Sequence, residues 1–294
     1  MPREIALLTN PTAGRGRGRR ARDAAVARLR SVGIAVRSLE GSDPDQALAL
    51  AHEQVAAGVD ALVVCGGDGM VNLGAQAAAG TGTPLGIIPA GTGNDVARAL
   101  DIPRKDPATA AERVIAGNVR TIDLARSLDR YYVTVMAAGF DAVVNERANA
   151  MTWPRGPMRY NVATVAELRT FRPLPYILEL DGTVVHTSAM LVAIGNGPSF
   201  GGGIRICEGA SMDDGLLDVV VINPVSKGKL LRVFPKLYQG THTTLPEFER
   251  HRVREVTASS PGIVAYGDGE RLGPLPMTTT VQPGALRVFA PPAP

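Results

Sequence analysis

The chain has 294 residues, a formal net charge of +3 at pH 7 and a sequence pI near 9.0. With 45% hydrophobic and 20% charged residues it can bury a core, and its 33 Gly and 22 Pro are scattered, which excludes disordered, collagen-like and low-complexity readings. An aromatic content of 4% argues against a stacked single-strand nucleic-acid surface, apolar runs fall short of the ~20 residues of a membrane span, and residues 1–9 lack the features of a signal peptide.

The first half reads as alternating strands and helices. Ile5–Thr9 is a short apolar strand, followed by the loop Asn10-Pro-Thr-Ala-Gly14 and a helix over Arg19–Val32 with Ala25, Leu29 and Val32 on one face. Ala35–Leu39 is a second strand. Ser42-Asp43-Pro44 then opens a helix that runs to about Ala57 and stops at Gly58. Ala61–Cys65 is a buried strand broken by Gly66-Gly-Asp-Gly69, with a helix over Val71–Ala79. Leu85–Ile88 is a strand broken by Pro89-Ala-Gly-Thr-Gly93, and helices follow at Asn94–Leu100 and Pro107–Ala116. Apolar strands separated by helices imply a parallel sheet covered on both faces, a three-layer α/β arrangement.

The pattern changes near Asp123. Strands are expected at Tyr131–Met136, Tyr176–Leu180, Val184–Thr187, Met190–Ile194, Leu217–Ile222, Val253–Ala258 and Ile263–Tyr266, with Asp181-Gly182 as a hairpin turn. Only two helices interrupt, at 160–171 and 227–238. Residues 1–123 therefore read as an α/β domain and 124–294 as an antiparallel β-sandwich domain; the closing strand Ala285–Ala290 is one that can return to the first. Cys65 and Cys207 cannot build a disulfide framework and read as small buried hydrophobes of a reducing compartment, and the four histidines show no zinc spacing.

Two loops carry the first chemical signal. Gly66-Gly-Asp-Gly69 follows a buried strand and precedes a helix, where glycines let backbone N–H groups approach a phosphate; a plain tight turn is equally compatible. Asp68 cannot bind phosphate but can hold a metal or water. Pro89-Ala-Gly-Thr-Gly-Asn-Asp95 ends the next strand, and ligands of open parallel sheets sit at the carboxyl ends of the strands. Gly91, Thr92, Asn94 and Asp95 thus share a rim with the first loop, and Asn10 lies on the same edge. Neither a P-loop nor a dinucleotide fingerprint is present. Asp268-Gly-Glu270, placed on a strand, turns both carboxylates to one face; a D-G turn is the plainer reading. An arginine run (Arg15, Arg17, Arg19, Arg20, Arg22) opens the first helix. Arg15 is best placed to reach the cleft and pair with phosphates, whereas a solvated face explains the rest in a chain with 27 Arg and 4 Lys.

Asn10-Pro11, Gly66-Gly-Asp-Gly69, Pro89-x-Gly91-Thr-x-Asn94-Asp95, Gly201-Gly-Gly203, Asp213-Asp-Gly215 and Asp268-Gly-Glu270 occur in this order. The set resembles the soluble bacterial diacylglycerol kinase family, which is related to sphingosine and ceramide kinases and more distantly to NAD kinases and 6-phosphofructokinases. The resemblance implies an N-terminal nucleotide-binding domain, a C-terminal β-sandwich and an active site in the cleft. It implies ATP on Gly66, Gly67, Asp68 and Gly69, with Thr92 and Asn94 helping to hold it, and Asp68 and Asp95 organising a catalytic Mg²⁺ through water. It assigns Asp268 as the base that takes the proton of the lipid hydroxyl, with Glu270 in support. It also implies a structural Mg²⁺ held by the Asp214 side chain and the carbonyls of Ser211 and Leu216, and places Asp123 in the acidic network.

The chain departs from the family pattern in three places: Met70 replaces a Thr, Leu73 follows Asn72 where Glu is common, and the usual Pro after the triple glycine is displaced by Cys207-Glu208. The expected function is ATP-dependent phosphorylation of diacylglycerol to phosphatidate by a cytoplasmic protein touching the inner face of the membrane transiently, with Trp153-Pro-Arg-Gly-Pro157 and Phe171-Arg-Pro-Leu174 as segments that can meet a bilayer. Sphingosine, ceramide or monoacylglycerol are alternative substrates, and NAD kinase is a weaker one. A nucleotide-binding sensor without catalysis is the competing class, motivated by Met70 and Leu73. A nucleic-acid module rests on the arginine run alone and is not expected; a homodimer is compatible with the resemblance.

Overall fold

A computed structural model describes residues 2–10, 13–139, 144, 147, 151, 153, 162 and 172–292. Of the expected helix at 160–171, all but Val162 lies outside the described residues.

The first half follows the alternation of the sequence: β1 (Glu4–Thr9), α1 (Ala13–Ser31), β2 (Ala35–Glu40), α2 (Pro44–Ala56), β3 (Ala61–Gly66), α3 (Asp68–Ala78), β4 (Leu85–Pro89), α4 (Asp95–Ala99) and α5 (Pro107–Ala116). The four strands are parallel in the order β2-β1-β3-β4. Helices α1 and α5 touch each other, as do α2 and α3. The helix punctuation is local chemistry. Asp43 caps α2 by accepting the Gln46 N–H at 2.8 Å ahead of Pro44. Asp106 caps α5, which ends at Gly117 with φ 71°.

The second half adds β5 (Val119–Ser127), β6 (Arg130–Tyr132), β7 (Val135–Gly139), β8 (Leu174–Leu180), β9 (Thr183–Ala189), β10 (Leu191–Gly195), β11 (Leu217–Ile222), α6 (Lys227–Gln239), β12 (Phe248–Val253), β13 (Glu255–Ser259), β14 (Val264–Gly267), β15 (Glu270–Pro274) and β16 (Met277–Phe289). The parallel sheet continues through β16 into β13, β8 and β9, with β5 and β6 beside β16. A second, antiparallel sheet has the order β12-β11-β10-β7-β14-β15. The two sheets face each other over Tyr132, Met136, Tyr176, Leu178, Val192, Ile194, Val219, Val256 and Val281. The fold is therefore α/β with a parallel sheet, joined to an antiparallel β-sandwich.

Several expectations are corrected. Tyr131–Met136 and Val253–Ala258 are not single strands. Each changes sheet midway, β6 to β7 and β12 to β13, because the chain crosses from one layer of the sandwich to the other. Strand β5 is an addition to the expected strands, and it runs through Asp123. β16 pairs parallel with β4 through Val288 and Leu85 and antiparallel with β5 along its length, with an irregularity between Gln282 and Leu286. Ile122, Leu124, Leu286 and Val288 belong to the core of the first half, and Ala125, Met277 and Val281 to that of the sandwich.

Candidate active site

The strand order 2-1-3-4 reverses direction between β1 and β3, and this switch point is where open α/β sheets leave a crevice at the carboxyl ends of their strands. Asn10 lies there, its N–H donating to the Cys65 carbonyl at 3.3 Å. Arg15 lies on α1, but its side chain is outside the described residues.

Helix α3 begins at Asp68, three residues earlier than apolar periodicity indicates. Gly67 is its N-cap and offers no side-chain hydrogen bond, so the N-terminus keeps donors for an anion. Gly66 is needed because a Cβ there would strike the Met70 side chain. The second loop stacks on the first glycine to glycine: a Cβ on Gly67 would lie 3.2 Å from the Cα of Gly91, and one on Gly91 would strike the Gly67 backbone. Asn94 takes the left-handed conformation at φ 54°. Its Oδ1 accepts the Gly91 N–H and its Nδ2 donates to the Gly91 carbonyl, both at 3.1 Å, which closes the loop and leaves Thr92 exposed at its crown.

Asp68 ties the two loops together, accepting the N–H groups of Asn94 and Asp95, both at 2.7 Å. Burial, then the neighbouring charges of Asp95 and Asp268, push its carboxyl up to about 6. Asp95 reaches the other half of the chain. Its Oδ2 accepts the Gly202 N–H at 2.6 Å and its Oδ1 accepts the Ser199 hydroxyl at 3.1 Å, while Arg98 forms an ion pair with it. Arg98 also donates to the carbonyls of Gly93 and Gly202, both at 3.3 Å. Gly201, Gly202 and Gly203 have φ of 60°, 85° and 114°, which explains three successive glycines at this turn.

Asp268 and Gly269 are corrected from strand to turn. They are the two central residues between β14 and β15, with φ of 50° and 85°, as a type I′ hairpin requires. The Asp268 carboxylate accepts four donors: Val133 N–H at 2.7 Å, Thr134 N–H at 2.8 Å, the Thr134 hydroxyl at 2.6 Å and Asn72 Nδ2 at 3.0 Å. Glu270 is exposed, and its Oε1 lies 3.3 Å from where a Cβ on Gly69 would sit. Both carboxylates thus border the first glycine loop, although they do not share a strand face.

The other acidic positions have structural partners. Asp123 is 4% exposed and accepts the N–H groups of Gly284 and Gly215, both at 2.7 Å, fastening the β16 irregularity to the Asp213–Gly215 turn. The expected structural cation loop has its side chains committed elsewhere. Asp214 pairs with Arg252 and accepts the Leu216 N–H at 3.0 Å, and the Ser211 hydroxyl donates to Asp213 at 2.6 Å. Among the described residues no group of three His, Cys, Asp or Glu side chains is arranged to hold a metal ion.

Sequence reasoning gave no role to Asn72, Thr134, Asn196, Ser199 or Arg98. Asn196 is wholly buried and donates to the carbonyls of Asp123 and Val133, both at 2.9 Å. Of the departures from the family pattern, Met70 and Leu73 are apolar packing positions. Met70 is 8% exposed against Gly66, and Leu73 lies against the core of the first half.

A parallel-sheet crevice with glycine-rich loops, closed by a β-sandwich that inserts carboxylates, defines a nucleotide-dependent phosphotransferase. Residues 4–127 match the diacylglycerol kinase catalytic domain, and residues 134–290 match the YegS C-terminal NAD kinase beta sandwich-like domain. A diacylglycerol kinase of Mycobacterium tuberculosis is 45% identical, with 98% of this chain and 95% of that protein covered. One from Staphylococcus aureus is 26% identical over 99% and 93%. The chain belongs to the diacylglycerol kinase family and is a kinase. The crystal structure of a diacylglycerol kinase from Bacillus anthracis has the same fold, with a TM-score of 0.76 at 22% identity and 99% and 98% coverage. An NAD kinase from Archaeoglobus fulgidus solved with ATP is a more distant fold relative, at TM-score 0.54, 12% identity and 97% and 93% coverage.

Such a kinase works with a divalent cation. Asp68 suits one through water, since each of its oxygens accepts one N–H and keeps a lone pair, whereas Asp95 is paired with Arg98 and Asp268 has its acceptor sites filled. Asp214 does not suit one as placed, because Arg252 already neutralises it. Among the described residues no helix is long and apolar enough to cross a membrane.

Proposed function

We propose that this kinase transfers the γ-phosphoryl group of ATP to the free hydroxyl of diacylglycerol, giving phosphatidate and ADP. The observation that carries the reading is the 3.0 Å hydrogen bond between Asp268 and Asn72, which sets a carboxylate of the sandwich beside the helix that starts at the glycine loop. ATP phosphates lie on Gly66, Gly67, Asp68 and Gly69, with Asn10, Arg15, Gly91, Thr92 and Asn94 around the nucleotide. The lipid hydroxyl oxygen bonds to the γ-phosphorus as the bond to the bridging oxygen breaks, and its proton passes to Asp268. All four acceptor sites of that carboxylate are filled, so one donor must yield. Two are backbone N–H groups fixed by the chain, whereas the Thr134 hydroxyl turns away about a single bond. Glu270 faces the same loop and supports the reacting groups.

A bound Mg²⁺ would be held by the phosphates with Asp68 through water, and it would neutralise charge on the transferred group. Asp95 serves first as the clasp on Gly202. We assign residues 1–123 to the nucleotide and 124–294 to the lipid. Because diacylglycerol resides in a bilayer, the protein touches the inner membrane face transiently; Trp153, 79% exposed, suits such contact. The assembly expected is a homodimer, which light scattering tests.

The reading is tested by incubating the protein with ATP labelled at the γ-phosphate, Mg²⁺ and micelles of diacylglycerol, monoacylglycerol, sphingosine or ceramide. Label in phosphatidate alone is the expected result. Label only in another lipid replaces the substrate, and bound ATP with no labelled lipid replaces the kinase by a nucleotide sensor.

A further inference from the structure

We infer that Asn72 is the positioning residue that holds the Asp268 carboxylate against the phosphate loop. The inference rests on the reading of Asp268 as the base. Asn72 lies four residues after Asp68 on α3 and is 5% exposed. Both ends of its amide are used. Nδ2 donates to Asp268 Oδ2 at 3.0 Å and to the Tyr131 carbonyl at 3.2 Å, and Oδ1 accepts Gln76 Nε2 at 3.1 Å. Gln76, one turn further on, also donates to the Tyr131 carbonyl at 2.7 Å and accepts the Tyr131 N–H at 3.0 Å.

Two features separate this from an ordinary buried amide. The Tyr131 carbonyl is already satisfied by Gln76 at the shorter distance, so the contact that depends on Asn72 is the one to Asp268. The remaining donors to Asp268 come from Val133 and Thr134, on the sandwich side. Asn72 alone among the four reaches it from the helix that carries the glycine loop. The amide orientation is also fixed. Turning it over would set Asn72 Oδ1 against the acceptors Asp268 Oδ2 and the Tyr131 carbonyl. One helix turn therefore carries both the phosphate-binding N-terminus and the group that aims the base. A displacement of about 1 Å between such groups costs ~10²-fold in rate.

The test uses the full-length protein with dioleoylglycerol micelles and ATP, comparing wild type, Asn72→Leu, Asp268→Asn and the double variant. The expected result for Asn72→Leu is a kcat lower by ~10²-fold with the KM for ATP changed by less than about twofold. The double variant is expected to be no slower than Asp268→Asn alone, because Asn72 acts through that carboxylate. Should Asn72→Leu not fold, Asn72→Ser keeps a polar side chain on α3 but is too short to reach Asp268. A kcat loss of ~10-fold that vanishes in the Asp268→Asn background then supports the inference. Losses that multiply in the double variant, or a rise in the KM for ATP that accounts for the whole effect, overturn it. An unchanged kcat in Asn72→Leu with Asp268→Asn inactive also overturns it while sparing the base assignment. Full activity in Asp268→Asn removes the base assignment, and this inference with it.

Discussion

The carboxylate of Asp68 accepts the backbone N–H of Asp95 at 2.7 Å, so the acid of one glycine-rich loop is the internal clamp of the next. That clamp is built at an electrostatic cost. Burial and the charges of Asp95 and Asp268 lift the Asp68 carboxyl from 3.8 to about 6. Between those values the folded protein holds a proton that the unfolded chain has released, so stability falls as pH rises through this window. The effect is roughly 3 kcal/mol by pH 7. The thermal midpoint of the wild type, followed from pH 4 to 7 without nucleotide, is expected to decline relative to that of Asp68→Asn. Parallel profiles for the two proteins would show that Asp68 is ionised throughout.

Asp95 and Arg98 form the second joint, between α4 and the triple-glycine turn. Arg98→Met leaves Asp95 buried at 4% exposure with its charge uncompensated. We expect a loss of about 3 kcal/mol, read as a lower urea midpoint with an unchanged slope. Arg98→Lys is expected to restore little, since a single ammonium cannot meet Asp95 and the carbonyls of Gly93 and Gly202 together.

The contact of Gly67 with Gly91 has no room for a side chain. Gly91→Ala is expected to cost about 2 kcal/mol and to weaken ATP binding measured by titration calorimetry, because the two loops must part. Gly228→Ala is the control. Nothing lies within 4 Å of the added Cβ on the exposed start of α6, and stability should hold or rise slightly. Equal losses in both variants would contradict the packing argument.

Much of this arrangement is legible in the residues. The parallel strands announce themselves as apolar runs because they are buried on both faces, and the glycine loops follow them directly. Strand β5 escapes such reading because Arg120, Asp123 and Arg126 interrupt it. Each has a partner far away in sequence or on a later strand: Arg120 pairs with Asp213, Asp123 takes the Gly215 and Gly284 N–H groups, and Arg126 lies over the Tyr131 ring. The Asp268-Gly269 pair carries a turn signal, and turn is what it is. Its proximity to the glycine loop survives that change because four donors hold the carboxylate from outside its own hairpin. Asn72 is visible in the sequence as the residue before Leu73 in the family pattern, but its role is not, since its partner lies 196 residues later.

The central claim is that Asp268 receives the proton of the lipid hydroxyl. The most direct measurement is the single-turnover rate of labelled phosphate transfer to dioleoylglycerol in Asp268→Asn, with ATP affinity measured on the same preparation. The account predicts a rate lower by ~10³-fold with ATP affinity preserved, because a general base contributes about that much and the nucleotide rests on other residues. A wild-type transfer rate in this variant would contradict it.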